Sequence, residues 1–85
     1  MEKENIYIEI RDQIFTLYRN IKYLREKNGL TTKQMAQILG MREKKLINVE
    51  KCLSIGHIDE KHLRNVCVTF KMSTDELLNE NLIEN

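Results

Sequence analysis

Proline and tryptophan are absent from the 85-residue chain, and glycine occurs only at positions 29, 40 and 56. These absences exclude proline-broken helices and a glycine-rich, turn-dense design, and they limit the chain to a few sharp reversals. Cys52 and Cys67 are too few for a disulfide framework, and in a reducing compartment they read as small apolar residues with no redox role. No stretch approaches the run of about eighteen apolar residues that a membrane span needs, and Met1 to Asn5 lacks the basic-then-apolar opening of a secretory leader. The expectation is a cytoplasmic protein with no membrane partner.

What is present favours helices. Leu, Lys, Glu, Gln and Met are abundant, and all are good helix formers. With 41% apolar and 32% charged residues the chain can fold and remain soluble. Its length supports one domain, because a chain this short buries roughly 60% of its unfolded surface and cannot sustain two cores.

The net charge of +1 conceals a division along the chain. Residues 15–51 carry nine basic side chains (Arg19, Lys22, Arg25, Lys27, Lys33, Arg42, Lys44, Lys45, Lys51) against Glu26, Glu43 and Glu50. Acidic residues outnumber basic ones in both flanking segments. A basic middle on an acidic scaffold suits a polyanion, although a cluster of solvated side chains would give the same count.

Tyr7, Ile10, Ile14, Leu17, Ile21 and Leu24 alternate three and four residues apart, which predicts a helix from about Asn5 to Lys27. Asn28-Gly29 closes it. A short strand over Ile6 to Ile10 competes and ranks second. Thr31 and Gln34 have capping-box spacing and open a two-turn helix with Met35, Ala36 and Leu39 inward, ended by Gly40. A third helix is expected from Arg42 or Glu43 to about Cys52, with Leu46, Val49 and Leu53 inward and Lys44, Lys45, Asn48 and Lys51 outward. The three- to four-residue turn around Gly40 holds such a pair near a right angle. Leu53 to Ile58 reads as a loop. Asp59 caps a fourth helix with Leu63, Val66, Cys67 and Phe70 inward, and Ser73 with Glu76 opens a short fifth. Asn79 to Asn85 should fray, with Leu82 and Ile83 available to dock.

Cys52, His57, His62 and Cys67 recur at five-residue intervals and are all zinc-ligand types. They lack the close pairs of structural zinc sites, and His62 and Cys67 would lie about 140° apart around one helix. No metal site and no cofactor are expected. No nucleophile, base and acid set has a recognisable context, and no glycine-rich loop can cradle phosphate, so catalysis is not expected.

Several short motifs occur in one order: Ile21-x-x-Leu24-Arg25, Gly29-Leu30-Thr31, Met35-Ala36, Leu39-Gly40, Leu46-x-x-Val49-Glu50 and Ser73 to Leu78. In that order and spacing, Leu17 to Leu78 resembles the five-helix DNA-binding domain of phage repressors and XRE-type (Cro-type) bacterial regulators. The resemblance implies an all-α, lambda-repressor-like helix-turn-helix domain over residues 16–79. Residues 1–15 would form an N-terminal extension continuous with the first helix, and residues 80–85 a frayed tail. It further implies a sequence-specific transcriptional regulator of double-stranded DNA, with the helix at about 42–52 in the major groove.

By that resemblance Thr32 would touch phosphate, and Glu43, Lys44, Ile47 and Asn48 would read bases. Lys44 could donate to guanine, Asn48 pair with adenine, Glu43 accept from cytosine and Ile47 meet a thymine methyl. Lys33, Arg42, Lys45 and Lys51 would hold phosphates. Arg25 and Glu50 occupy the places of a structural ion pair. The chain departs from the family in several places. Arg42 stands where a capping Ser or Thr is usual, Cys52 where a Gly is usual and Ile58 where a Pro is usual. Ile47 replaces a small polar residue, and an exposed isoleucine beside lysines also suits a protein partner.

The alternative function is therefore a divergent helix-turn-helix that binds another protein, such as a regulator or a toxin. Ile6, Tyr7, Ile10 and Ile14 cover more of a helix than one core needs, and a homodimer contact is expected there, matching paired half-sites.

Overall fold

A computed structural model describes the backbone of residues 2–52 and 58–84, and the side chains of residues 13–52 and 58–83. Five α-helices follow one another: α1 Glu2–Lys27, α2 Thr32–Leu39, α3 Glu43–Glu50, α4 Glu60–Phe70 and α5 Thr74–Asn79, with a 3-10 turn over Leu82–Glu84. No strand occurs among the described residues, so Ile6 to Ile10 is helical and the period-2 alternation there does not prevail. None of these helices is long and apolar enough to cross a membrane.

The stop signals of the sequence act as local chemistry requires. Gly29 and Gly40 take φ of 64° and 84°, the left-handed conformation that ends a helix. The Leu30 amide then donates to Arg25 O and the Met41 amide to Ala36 O. Gly40 is constrained twice, because a side chain there would also meet the Asn65 amide at 3.2 Å. Capping boxes form at Thr31 with Gln34 and at Ser73 with Glu76. The same spacing recurs at Asp59, whose backbone N–H donates to His62 Nδ1. Lys71 ends α4 with φ of 54° despite its side chain.

The core is the meeting of one stripe from each helix. Leu17, Tyr18, Ile21 and Leu24 of α1 pack with Met35, Ala36 and Leu39, with Leu46 and Val49, with Val66, and with Leu77. Leu63, Cys67 and Phe70 line its edge, and His62 is buried in their place on α4. Burying these aliphatic side chains contributes about 1.5–3 kcal/mol each before entropy is counted.

The chain's end is held by one polar residue. Asn20, 1% exposed, donates to Leu77 O and Glu80 O at 2.8 Å and accepts from the Leu82 amide. Leu82 therefore packs at the core edge, and the segment after Asn79, expected to fray, carries a docked turn as far as Glu84. Leu53, expected inward, and His57 lie outside the described residues.

Candidate nucleic-acid interface

The Gly40 turn brings two helix N-termini side by side. Thr32 is the first residue of α2 and Glu43 the first of α3, and the Thr32 hydroxyl donates to the Glu43 carboxylate. Both helices thus open on one surface, with their first-turn N–H groups and positive dipole ends together. At α3 no side chain caps these groups, since Arg42 takes the N-cap position with extended backbone and makes no capping hydrogen bond. Uncapped N–H donors are the groups that an anion's oxygens can satisfy.

At 100° per residue, Lys44, Asn48 and Lys51 fall within an arc of roughly 60°, opposite Leu46 and Val49. Lys44 and Lys51 are exposed and Asn48 is half-buried, while the buried Leu46 and Val49 hold the opposite face in the core. Arg42 and Lys33 are also exposed, so they flank the same opening.

Four placements differ from the sequence expectation. The third helix ends at Glu50, and Lys51 and Cys52 form a turn in which Cys52 adopts φ of 56°. That conformation stops the helix where a glycine would, without a glycine to announce it. Ile47 and Asn48 are both half-buried, so neither is as exposed as expected. Lys45 is half-buried too, and it approaches α4 closely enough to disfavour protonation of His62.

His62 has a structural task that its pairing with cysteine in sequence obscured. It is 6% exposed, its Nδ1 accepts the Asp59 amide, and its ring faces the Gly40 carbonyl. Burial holds its pKa below the ordinary histidine value, reinforced by Lys45 and Lys61 and opposed by Asp59 and the Gly40 carbonyl. The Asp59-x-x-His62 spacing, the same as in the other two capping boxes, was the signal for this role. Cys67 lies at the core edge with its thiol 3.7 Å from the Thr74 hydroxyl.

Arg25 and Glu50 fix how α3 is rolled. The Arg25 fork meets the Glu50 carboxylate twice, Nε to Oε2 at 2.7 Å and a terminal nitrogen to Oε1 at 2.9 Å. Its other terminal nitrogen donates to Leu30 O. The hydrogen bond to Glu50 outweighs burial and keeps the guanidinium more firmly protonated than usual. This ties the end of α1 to the end of α3 and faces neither residue toward the Lys44 arc.

Of the expected dimer residues, Ile14 is half-buried at the edge of the chain's own core. The side chains of Ile6, Tyr7 and Ile10 lie outside the described residues. Among the described residues the most exposed large apolar side chain is Val68 on α4, 73% exposed, beside Leu63, Cys67 and Met72 in an open groove of about 340 Å³. No protein-family model matches this chain, and neither does any curated protein or solved structure.

Proposed function

We propose that this protein is a sequence-specific binder of double-stranded DNA and a transcriptional regulator, with α3 entering the major groove. The observation that carries the proposal is the apposition of the α2 and α3 N-termini, joined by Thr32 and Glu43 and flanked by Lys33, Arg42 and Lys44. A helix the length of α3 fits the major groove, and its outward arc presents donors and acceptors in Lys44 and Asn48. Lys33, Arg42 and Lys51 supply the charge that phosphate contacts need. Lys45 contributes less, since it turns toward α4. Glu43 faces the same opening as a carboxylate, which selects for a cytosine amine and against close phosphates.

A second reading, a helix-turn-helix that binds a protein, is favoured by Val68 and its groove, which lie on α4 away from the basic arc. Binding to random-sequence duplex DNA at two salt concentrations, followed by selection from the bound pool, separates the two. The expected result is affinity that falls steeply with salt and an enriched motif. Lys44→Glu with Lys51→Glu should keep the fold and weaken binding on the order of a hundredfold. No binding at low salt, or binding indifferent to the double substitution, would leave the α4 groove as the functional surface.

A further inference from the structure

Arg19 and Lys22 belong to the basic window but stand on α1, outside the opening formed by the α2 and α3 N-termini. Both are exposed, and among the described residues neither takes part in an ion pair. They share one face of the helix. At 100° per residue Arg19, Lys22 and Glu26 fall within an arc of roughly 60°, opposite the buried Leu17, Ile21 and Leu24.

Two contacts orient that face relative to α3. Arg25 meets Glu50, while Phe15 and Arg19, earlier in α1, line one open groove of about 570 Å³ with Cys52, which follows α3. Earlier residues of α1 thus meet later residues of α3, and the two helices run in opposed directions. Arg25 and Glu50 also each lie about 70° round from the core stripe of their own helix, in the same rotational sense. For opposed helices that share a core, this turns both outer faces to the same side of the molecule. Lys22 falls between the two contacts along α1 and therefore lies alongside the Lys51 end of α3, with Arg19 one turn beyond it.

We propose that Arg19 and Lys22, together with Lys51, form a second phosphate-binding site, which holds the DNA strand across the groove from the strand held at the α2 and α3 N-termini. This site rests on the DNA reading and extends it to α1. The eight residues of α3 span about 12 Å, and the major groove is about 12 Å wide. Thr32, Lys33 and Arg42 at one end of α3, and Arg19, Lys22 and Lys51 at the other, are thus spaced to meet the phosphates of two strands. Arg19 can present two parallel N–H donors to a phosphate, and Lys22 adds a point charge. Both stand on α1 beside the reading helix, so they contribute charge and position without sequence information. Glu26, one turn after Lys22, bounds the patch and repels phosphate from its far end.

Equilibrium binding of the full chain to selected and to random-sequence duplex DNA, over a series of salt concentrations, tests it. Arg19→Gln with Lys22→Gln should weaken binding on the order of tenfold at about 0.1 M salt. It should also lower the slope of log affinity against log salt by about 1.8, and each single substitution by about 0.9. The loss should be the same on both duplexes, because phosphates are common to every sequence. Arg64→Gln with Lys71→Gln removes the same charge from α4 and should change the slope by less than about 0.5. All four side chains are exposed, and circular dichroism checks that the fold persists. No binding by the unaltered chain would overturn this site and the DNA reading together. If the unaltered chain binds but the α1 variant is no weaker than the α4 variant, or is weakened on the selected duplex alone, this site falls and the DNA reading stands.

Discussion

A single carboxylate decides how the basic arc is presented. Glu50 holds Arg25 through two short hydrogen bonds, with 8% of the Glu50 side chain exposed and 17% of Arg25. Removing the carboxylate leaves a largely buried guanidinium with only Leu30 O as a described partner. Glu50→Ala should therefore cost about 2–3 kcal/mol in urea denaturation, less than a fully buried pair because Arg25 keeps some water. A change under about 0.5 kcal/mol would show that the pair is ornamental. Its two members were legible through the family resemblance. Asn20 was not. A lone asparagine beside a helical stripe carries no sign that it will bind three backbone groups some sixty residues away.

Helix boundaries were legible wherever a glycine or a capping pair marks them, and obscure where an ordinary side chain takes the left-handed conformation. Thr31, Gly40 and Ser73 belong to the first kind; Cys52 and Lys71 belong to the second. A non-glycine residue in that conformation costs roughly 1–2 kcal/mol, of which glycine's greater unfolded-state entropy gives part back. Lys71 is exposed, so Lys71→Gly should raise stability by about 0.5–1 kcal/mol, read as a thermal midpoint a few degrees higher. A lower midpoint would mean that the lysine makes contacts worth more than the strain. Cys52 carries the same strain but packs at the core edge, where glycine would also forfeit burial.

Across the whole molecule, one histidine couples the assembly to pH. His62 lies beneath the α2–α3 turn and beside Lys45, Lys61 and Asp59, and the folded state keeps it neutral. With its folded pKa below the unfolded value, its contribution is complete above about pH 6.5 and is lost as pH falls toward the lowered folded value. Below pH 6.5 the unfolded chain gains a proton that the folded chain resists. His62→Gln retains a side-chain acceptor at the same capping position, as Gln34 does after Thr31, and abolishes the titration. Between pH 7 and about 5, where most carboxylates stay ionised, the unaltered protein should lose more unfolding free energy than this variant. Equal losses would show that the coupling lies in other groups.

By itself the amino-acid sequence determined the five helices, most of their ends and the inward stripes, because helical period, caps and glycine conformations are settled among residues three to five apart. It also placed the basic charge in one window, since charge is a property of composition. Only the tertiary structure decided that Ile47 and Lys45 turn partly inward, that His62 caps and buries, and that Asn20 retains the chain's end. Those outcomes depend on which surface of another helix arrives opposite each side chain, and no local pattern encodes that arrival.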